Sequence, residues 1–276
     1  MGSAEVESFL TYLAVALRVS AATQNQALHA LLFLYRQVLE LDLPWLENVT
    51  RATKPKRLPV VLSPIEVRAV LAQLEGMSWL VASLLYGGGL RLTEALRLRV
   101  NDLHLECGEV VVRGGKGGKD RMTVVPAALI EPLRLHLTRL NTRFERERKR
   151  GAPGVSLPAA VSHKYPSTAV LWGWHYVFPA DSLCLDPYSG KIIRHHIHER
   201  VVQRAVQAAV RRAGISQPAT CHTFRHCFAT HLLQSGCDIR TVQELLGHAD
   251  VKTTMIYTHV LGKGALGVVS PLDRPT

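Results

Sequence analysis

The chain has 276 residues, with 33 Lys+Arg against 22 Asp+Glu, a net charge of +11, and a hydrophobic share of 47%. That share supports a substantial core and excludes wholesale disorder, and no apolar run reaches the ~18 residues of a membrane span. The acidic start, Met1-Gly2-Ser3-Ala4-Glu5-Val6-Glu7, lacks the positive region of a secretory signal, so a cytoplasmic location is expected. Excess positive charge favours a polyanionic partner, with nucleic acid ahead of an acidic membrane surface. The five cysteines, Cys107, Cys184, Cys221, Cys227 and Cys237, are odd in number and irregular in spacing. Reduced thiols are expected rather than a disulfide framework.

In chain order, residues 5–19 and 24–41 carry apolar residues at helical spacing, among them Leu28, Leu31, Leu32, Tyr35, Val38 and Leu39. They predict a helical domain over residues 1–50. Arg51-Ala-Thr-Lys54-Pro-Lys56-Arg57 has four cations, a proline and no acid, and predicts an extended basic linker over 51–57. A larger domain is expected over 58–276. Ser63-Pro64-Ile65-Glu66 places a cap, a first-turn proline and a capping-box glutamate ahead of a helix. Helices are predicted over 64–75, 78–86 and 92–98, with Gly87-Gly88-Gly89 between the last two. The runs 109–113 and 121–125 predict a β-hairpin with a glycine-rich tip around Lys116. Residues 127–150 read as a helix with a very basic end.

Residues 151–190 differ. They hold Pro153, Pro158, Pro166, Pro179 and Pro187 together with Tyr165, Trp172, Trp174, Tyr176, Phe178 and Tyr188, and read as an insertion on a helical scaffold. Helices resume over 198–213, 222–235, 239–246 and 250–260, with Gly214, Gly236 and Gly247 at expected C-terminal caps. The fold class is mainly α with a small β-hairpin or sheet.

Several side chains carry possible chemistry. His222 and Arg225 share a helix face near its N-terminus, an arrangement suited to a phosphate. His248 sits in a turn after Gly247, ahead of a helix that carries Tyr257. Arg91 follows a glycine break and starts a helix, with Glu94 on the same face as a partner. Taken singly, each also fits an ordinary structural role. The glycine-rich tip is no Walker loop, because Lys119 is followed by Asp120 rather than Ser or Thr. Cys221, His222, His226, Cys227 and His231 lack the paired ligand spacings of structural zinc, and no metal is expected.

Taken in order, Arg91, Lys116, His222, Arg225, His248 and Tyr257 form the series R…K…H-x-x-R…H…Y. This resembles the tyrosine recombinase, or phage-integrase-type, family. The string His222-Thr-Phe-Arg-His-Cys-Phe-Ala-Thr-His-Leu-Leu-Gln-Ser-Gly, followed by Leu-Leu-Gly-His and Ile-Tyr-Thr-His-Val, is the specific match. Within the family, Tyr86-Gly-Gly-Gly-Leu-Arg-Leu-Thr-Glu-Ala-Leu-Arg, Gly115-Lys-Gly-Gly-Lys-Asp-Arg and the extra segment around Trp174-His-Tyr-Val-Phe-Pro179 look like integron integrases.

The resemblance implies a tyrosine recombinase catalytic domain behind a partial helical core-binding (SAM-like) domain, shorter than the family's usual one. It implies that Tyr257 attacks a phosphodiester to form a 3′-phosphotyrosine. Arg91 and Arg225 would hold the non-bridging oxygens, Lys116 would protonate the leaving 5′-oxygen, and His222 and His248 would move protons or bind the phosphate. No cofactor is then required. The implied partners are double-stranded DNA sites and folded single-stranded hairpin sites, with a homo-tetramer on synapsed DNA in the bacterial nucleoid. Arg51, Lys54, Lys56 and Arg57 are candidates for backbone contact. Trp172, Trp174, His175 and Tyr176 are candidates for stacking extrahelical bases, or else for anchoring the insertion.

Overall fold

The computed structural model describes residues 2–41, 49–52, 59–115, 119–187 and 189–260. It divides into two units, Met1–Arg57 and Leu58–Thr276. Of the sequence-predicted contact residues, Lys54, Lys56, Arg57 and Lys116 lie outside the described residues.

In the first unit, α1 (Ser3–Val15) ends before its predicted limit, and Arg18 takes a left-handed φ of 48°. Helix α2 (Ala21–Phe33) opens at Ser20, whose hydroxyl accepts from the Thr23 N–H. It continues into a π-helical turn, Leu34–Val38. Val6, Leu10 and Tyr35 form a small core with Leu13, Leu28 and Leu31 packed on it. Buried Gln24 donates to the Leu10 and Thr50 carbonyls at 2.9 and 2.8 Å and accepts from the Ala52 N–H at 2.8 Å. One amide thereby fixes the backbone on both sides of exposed Arg51.

In the second unit, α3 (Pro64–Leu71) starts with the predicted capping box. Glu66 accepts from the Ser63 N–H at 2.7 Å, and Ser63 accepts from the Glu66 N–H at 3.3 Å. Helix α4 (Gly76–Gly87) is apolar on nearly every face because it is enclosed. Leu80, Val81, Ala82, Leu84 and Leu85 are all buried, and α8 and α9 pack on it. After the short α5 (Leu92–Leu96), strands β1 (Leu103–His104), β2 (Glu109–Val112) and β3 (Arg121–Val124) make an antiparallel sheet in that order. The register runs from Glu109↔Val124 to Val112↔Arg121, which confirms the hairpin and adds β1 to it. Val110 and Val112 face the core, as the period of two requires.

Helix α6 (Ala127–Lys149) leads to α7 (Ala159–Lys164), two 3₁₀ turns at 166–170 and 172–174, and strands β4 (Pro179–Leu185) and β5 (Ile192–His196). These paired strands were not read from the sequence. Asp, Ser and an initial Pro weaken the strand pattern of β4, and its pairing with β5 is irregular between Pro179 and Leu183. Helices α8 (Glu199–Arg212), α9 (Cys221–Gln234), α10 (Ile239–Leu246) and α11 (Val251–Val260) follow close to prediction. The main core gathers α3, α4, α8 and α9, and a smaller cluster of Phe228, Ala229, Val242, Leu246 and Tyr257 joins α9, α10 and α11. Among the described residues, no helix is long and apolar enough to cross a membrane.

Candidate active site

Glu94 is the hub of the site. It lies in the first turn of α5 and accepts from the Arg91 backbone N–H at 2.8 Å and from the Arg91 guanidinium at 2.6 Å. Arg121 of β3 reaches the same carboxylate with two parallel donors, at 2.9 and 2.7 Å, a fork that favours the charged form. Arg225 of α9 approaches to 3.6 Å. Burial pushes the Glu94 carboxyl up, but hydrogen bonds from Arg121 and Arg91 outweigh it and hold the group at about 2. Three arginines thus share one carboxylate, and the site keeps a net positive charge.

Arg225 is 4% exposed and fully oriented. It donates to the Gly89 carbonyl at 2.5 Å, the Leu246 carbonyl at 2.6 Å and His248 Nε2 at 3.2 Å. Burial, and then the neighbouring Arg91, push it down to about 9, so it remains charged at neutral pH. Because Nε2 of His248 accepts, its Nδ1 carries the proton and donates to Thr254 Oγ1 at 2.9 Å. His248 is placed by Gly247, which ends α10 at φ 63°. A side chain there would meet Arg121 Cδ at 2.6 Å. Arg121 also donates to the Leu245 carbonyl at 2.9 Å, which ties the hairpin to the turn that holds His248.

Tyr257, on α11, is 2% exposed among Phe228, Ala229, Val242 and Leu246. Its ring lies nearly parallel to His248, with centroids 6.4 Å apart. Burial raises its phenol, while Arg225 and Arg91 pull against that rise. Its hydroxyl is 3.1 Å from Nδ1 of His226. His222 is exposed on the first turn of α9, its ring 6.2 Å from that of His226, beside an open cleft of about 480 Å³ lined by Arg91, Thr93, Gln203, Gln207 and Thr220. Burial, followed by Arg225 and Arg91, lowers its basicity.

Arg91, His222, Arg225, His248 and Tyr257 therefore converge. His226 and Arg121 were missed. The sequence shows His226 only as the neighbour of Arg225 and as a member of a Cys/His group without zinc spacing, and Arg121 only as a hairpin residue. Their contacts cross 31 and 27 positions, to Tyr257 and Glu94.

The insertion requires a correction. His175 and Tyr176 are buried, at 5% and 3% exposure, and are not presented to a base. Tyr176 lies beneath Arg99, whose guanidinium is 4.4 Å from the ring centroid and donates to the tyrosine hydroxyl, the Ser156 carbonyl and the Trp174 carbonyl. His175 Nδ1 donates to the carbonyl of Tyr176. Trp172 and Trp174 are half-buried, Trp172 against Phe144 and His175, and Trp174 beside Arg99. The aromatic cluster anchors the segment.

Comparison with known proteins agrees with this architecture. The model of the phage integrase family matches residues 61–263, and that of the phage integrase N-terminal SAM-like domain matches residues 1–45. An "Integrase/recombinase" of Escherichia coli is 52% identical over 273 residues, covering 99% of this chain and 81% of the relative. Tyrosine recombinase XerD of Agrobacterium fabrum is 33% identical over 275 residues, covering 93% of this chain and 76% of the relative. Among solved structures, XerA recombinase aligns with a TM-score of 0.55 at 27% identity, over 100% of this chain and 85% of the other. XerH bound to its palindromic difH substrate aligns at 0.61 and 24% identity, over 94% and 69%, a likeness of fold.

The chain belongs to the phage integrase family, the tyrosine recombinases. It is an enzyme, a site-specific recombinase that cuts and rejoins DNA.

Proposed function

We propose that Tyr257 is the nucleophile of this recombinase and that the chain is of the integron integrase type, moving gene cassettes between a duplex site and a folded single-stranded hairpin site. One observation carries the catalytic reading. Two arginines of opposite origin in the chain, Arg91 and Arg225, are oriented around one carboxylate within a packed pocket that also holds Tyr257. Charge develops on the non-bridging oxygens as phosphorus becomes five-coordinate, and preorganised guanidinium donors favour that state. His248 and His222 complete the phosphate's surroundings. Attack by Tyr257 Oη breaks the bond to the 5′-oxygen, and Lys116 supplies that oxygen's proton. The 3′-phosphotyrosine conserves the bond for rejoining.

The integron reading is supported by the segment between α6 and α8. It is a built element with its own hairpin and an arginine at its root, additional to the helices that hold the pocket. Four such chains on two synapsed sites are the proposed working assembly. The first unit and the linker cations Arg51, Lys54, Lys56 and Arg57 add contacts to the DNA backbone.

A nicked suicide substrate tests the chemistry. Tyr257→Phe should abolish the covalent adduct and leave DNA affinity nearly unchanged, and equal adduct yield would remove Tyr257 from the role. Strand exchange between a duplex site and a folded hairpin tests the type. Exchange between duplex sites only would place the enzyme with other tyrosine recombinases.

A further inference from the structure

The Tyr257 hydroxyl must lose a proton as it attacks phosphorus, and free phenols ionise near 10, so the pocket needs a group to receive it. Among the described residues, three imidazoles surround the pocket. His248 is committed on both nitrogens, with Nε2 to Arg225 and Nδ1 to Thr254. His222 is exposed at the mouth. His226, half-buried one turn further along α9, has Nδ1 3.1 Å from Tyr257 Oη, within direct proton-transfer reach. We infer that His226 is a catalytic residue, the base that accepts the Tyr257 proton through Nδ1 during strand cleavage. This rests on the assignment of Tyr257 as nucleophile.

The step balances. The Oη–H bond breaks and its proton passes to His226 Nδ1 while the Oη–P bond forms and the P–O5′ bond breaks. The leaving oxygen takes a proton from Lys116. On rejoining, His226 returns its proton to Tyr257. Electrostatics explain why transfer waits for DNA. Around His226 stand His222 and Arg225 on its own helix and Tyr257 on α11, and beyond Arg225 lie Glu94 of α5, Arg91 at the cap of α5, and His248. Burial and then the positive field of His222 and Arg225 hold its basicity far down, so without DNA the proton stays on oxygen. A phosphodiester seated between Arg91 and Arg225 adds a negative charge that offsets this field and raises the basicity of His226.

The test uses the full chain on a nicked suicide substrate under single-turnover conditions. His226→Gln retains a hydrogen-bond acceptor but no proton acceptor, and adduct formation should fall by about 10²–10⁴-fold with DNA binding unchanged. A substrate with a 5′-sulfur leaving group should not restore the rate, because the acid step is intact. A ring-fluorinated tyrosine at position 257, whose phenol ionises closer to neutral pH, should restore much of it. A rate within threefold of the parent, or a slow variant that the fluorinated ring fails to restore, overturns the inference. A second arm needs no change at His226. The unmodified chain on the 5′-sulfur substrate should cleave measurably more slowly in D₂O, because only the phenolic proton remains in transfer. Equal rates in the two solvents overturn the inference. An undiminished adduct from Tyr257→Phe overturns the nucleophile assignment itself, so the two failures are distinguishable.

Discussion

Two buried arginines of the second unit use the same chemistry to opposite ends. Arg99 and Arg225 are 8% and 4% exposed, and each donates to two backbone carbonyls and to one side chain. Burial lowers the proton affinity of both. They differ in their surroundings. Arg99 is sealed between Tyr176 and Trp174, beside Asp102, and closes the insertion onto the scaffold. Arg225 shares its carboxylate with Arg121 and with Arg91, which lines an open cleft, so positive charge is left in excess around Glu94. Both arginines bind carbonyls, and the difference lies in the rest of their surroundings: aromatic faces close over Arg99, whereas Arg225 shares one carboxylate with two further cations.

Breaking the two in parallel should separate rate from stability. The largest effect is expected from Arg225→Met. Removing one preorganised donor group costs about 10²–10³-fold in comparable sites, so suicide-substrate cleavage should fall at least that far while affinity for DNA changes little. Cleavage within tenfold of the parent would place Arg225 with Arg99, as a structural fastener. Arg99→Met should do the reverse. It leaves the Trp174 and Ser156 carbonyls without their donor, a loss of about 2–4 kcal/mol in denaturant unfolding, with cleavage of a plain duplex site within several-fold. Exchange with a folded hairpin should suffer more than cleavage does.

Gly247→Ala sharpens the comparison at the link between hairpin and pocket. Its φ of 63° disfavours a side chain by about 1–2 kcal/mol, and the added carbon would press on Arg121, so stability and cleavage should fall together.

The smallest effects are in acid. His226 in the pocket and His196 in the insertion are both held down at about 4 by burial. The unfolded chain protonates them first, near 6.5, so stability declines as pH falls from about 6.5 to 4. Glu94, held at about 2, has the familiar carboxylate sign. Its contribution is full above about 4.5 and is lost as pH falls towards 2. Thermal melting against pH should show a shallower upper limb in His196→Asn and a shallower lower limb in Glu94→Gln. Parallel curves would mean that these groups titrate alike in both states.

Much of this was legible in the chain itself. Ser63-Pro64-Ile65-Glu66 announces α3, valine-rich runs around a glycine-rich tip announce β2 and β3, and Gly247 announces the end of α10. These signals are local, because a cap, a turn or a period depends on residues within a few positions. The ordered series from Arg91 to Tyr257 also identified the family. The partners within the site were another matter. Arg225 and the Gly89 carbonyl are 136 positions apart, and Arg121 and the Leu245 carbonyl are 124 apart. Nothing in the sequence selects His226 over His222 as the neighbour of Tyr257, since both lie on the same helix one turn apart. Tyr176 and Trp174 read equally well as base-stacking residues or as anchors, until Arg99 is found between them. Sequence determined most of the helices, the β2–β3 hairpin and the ordered series from Arg91 to Tyr257. Tertiary packing decided which groups face each other and which are sealed, because burial and charge balance are properties of distant elements brought together.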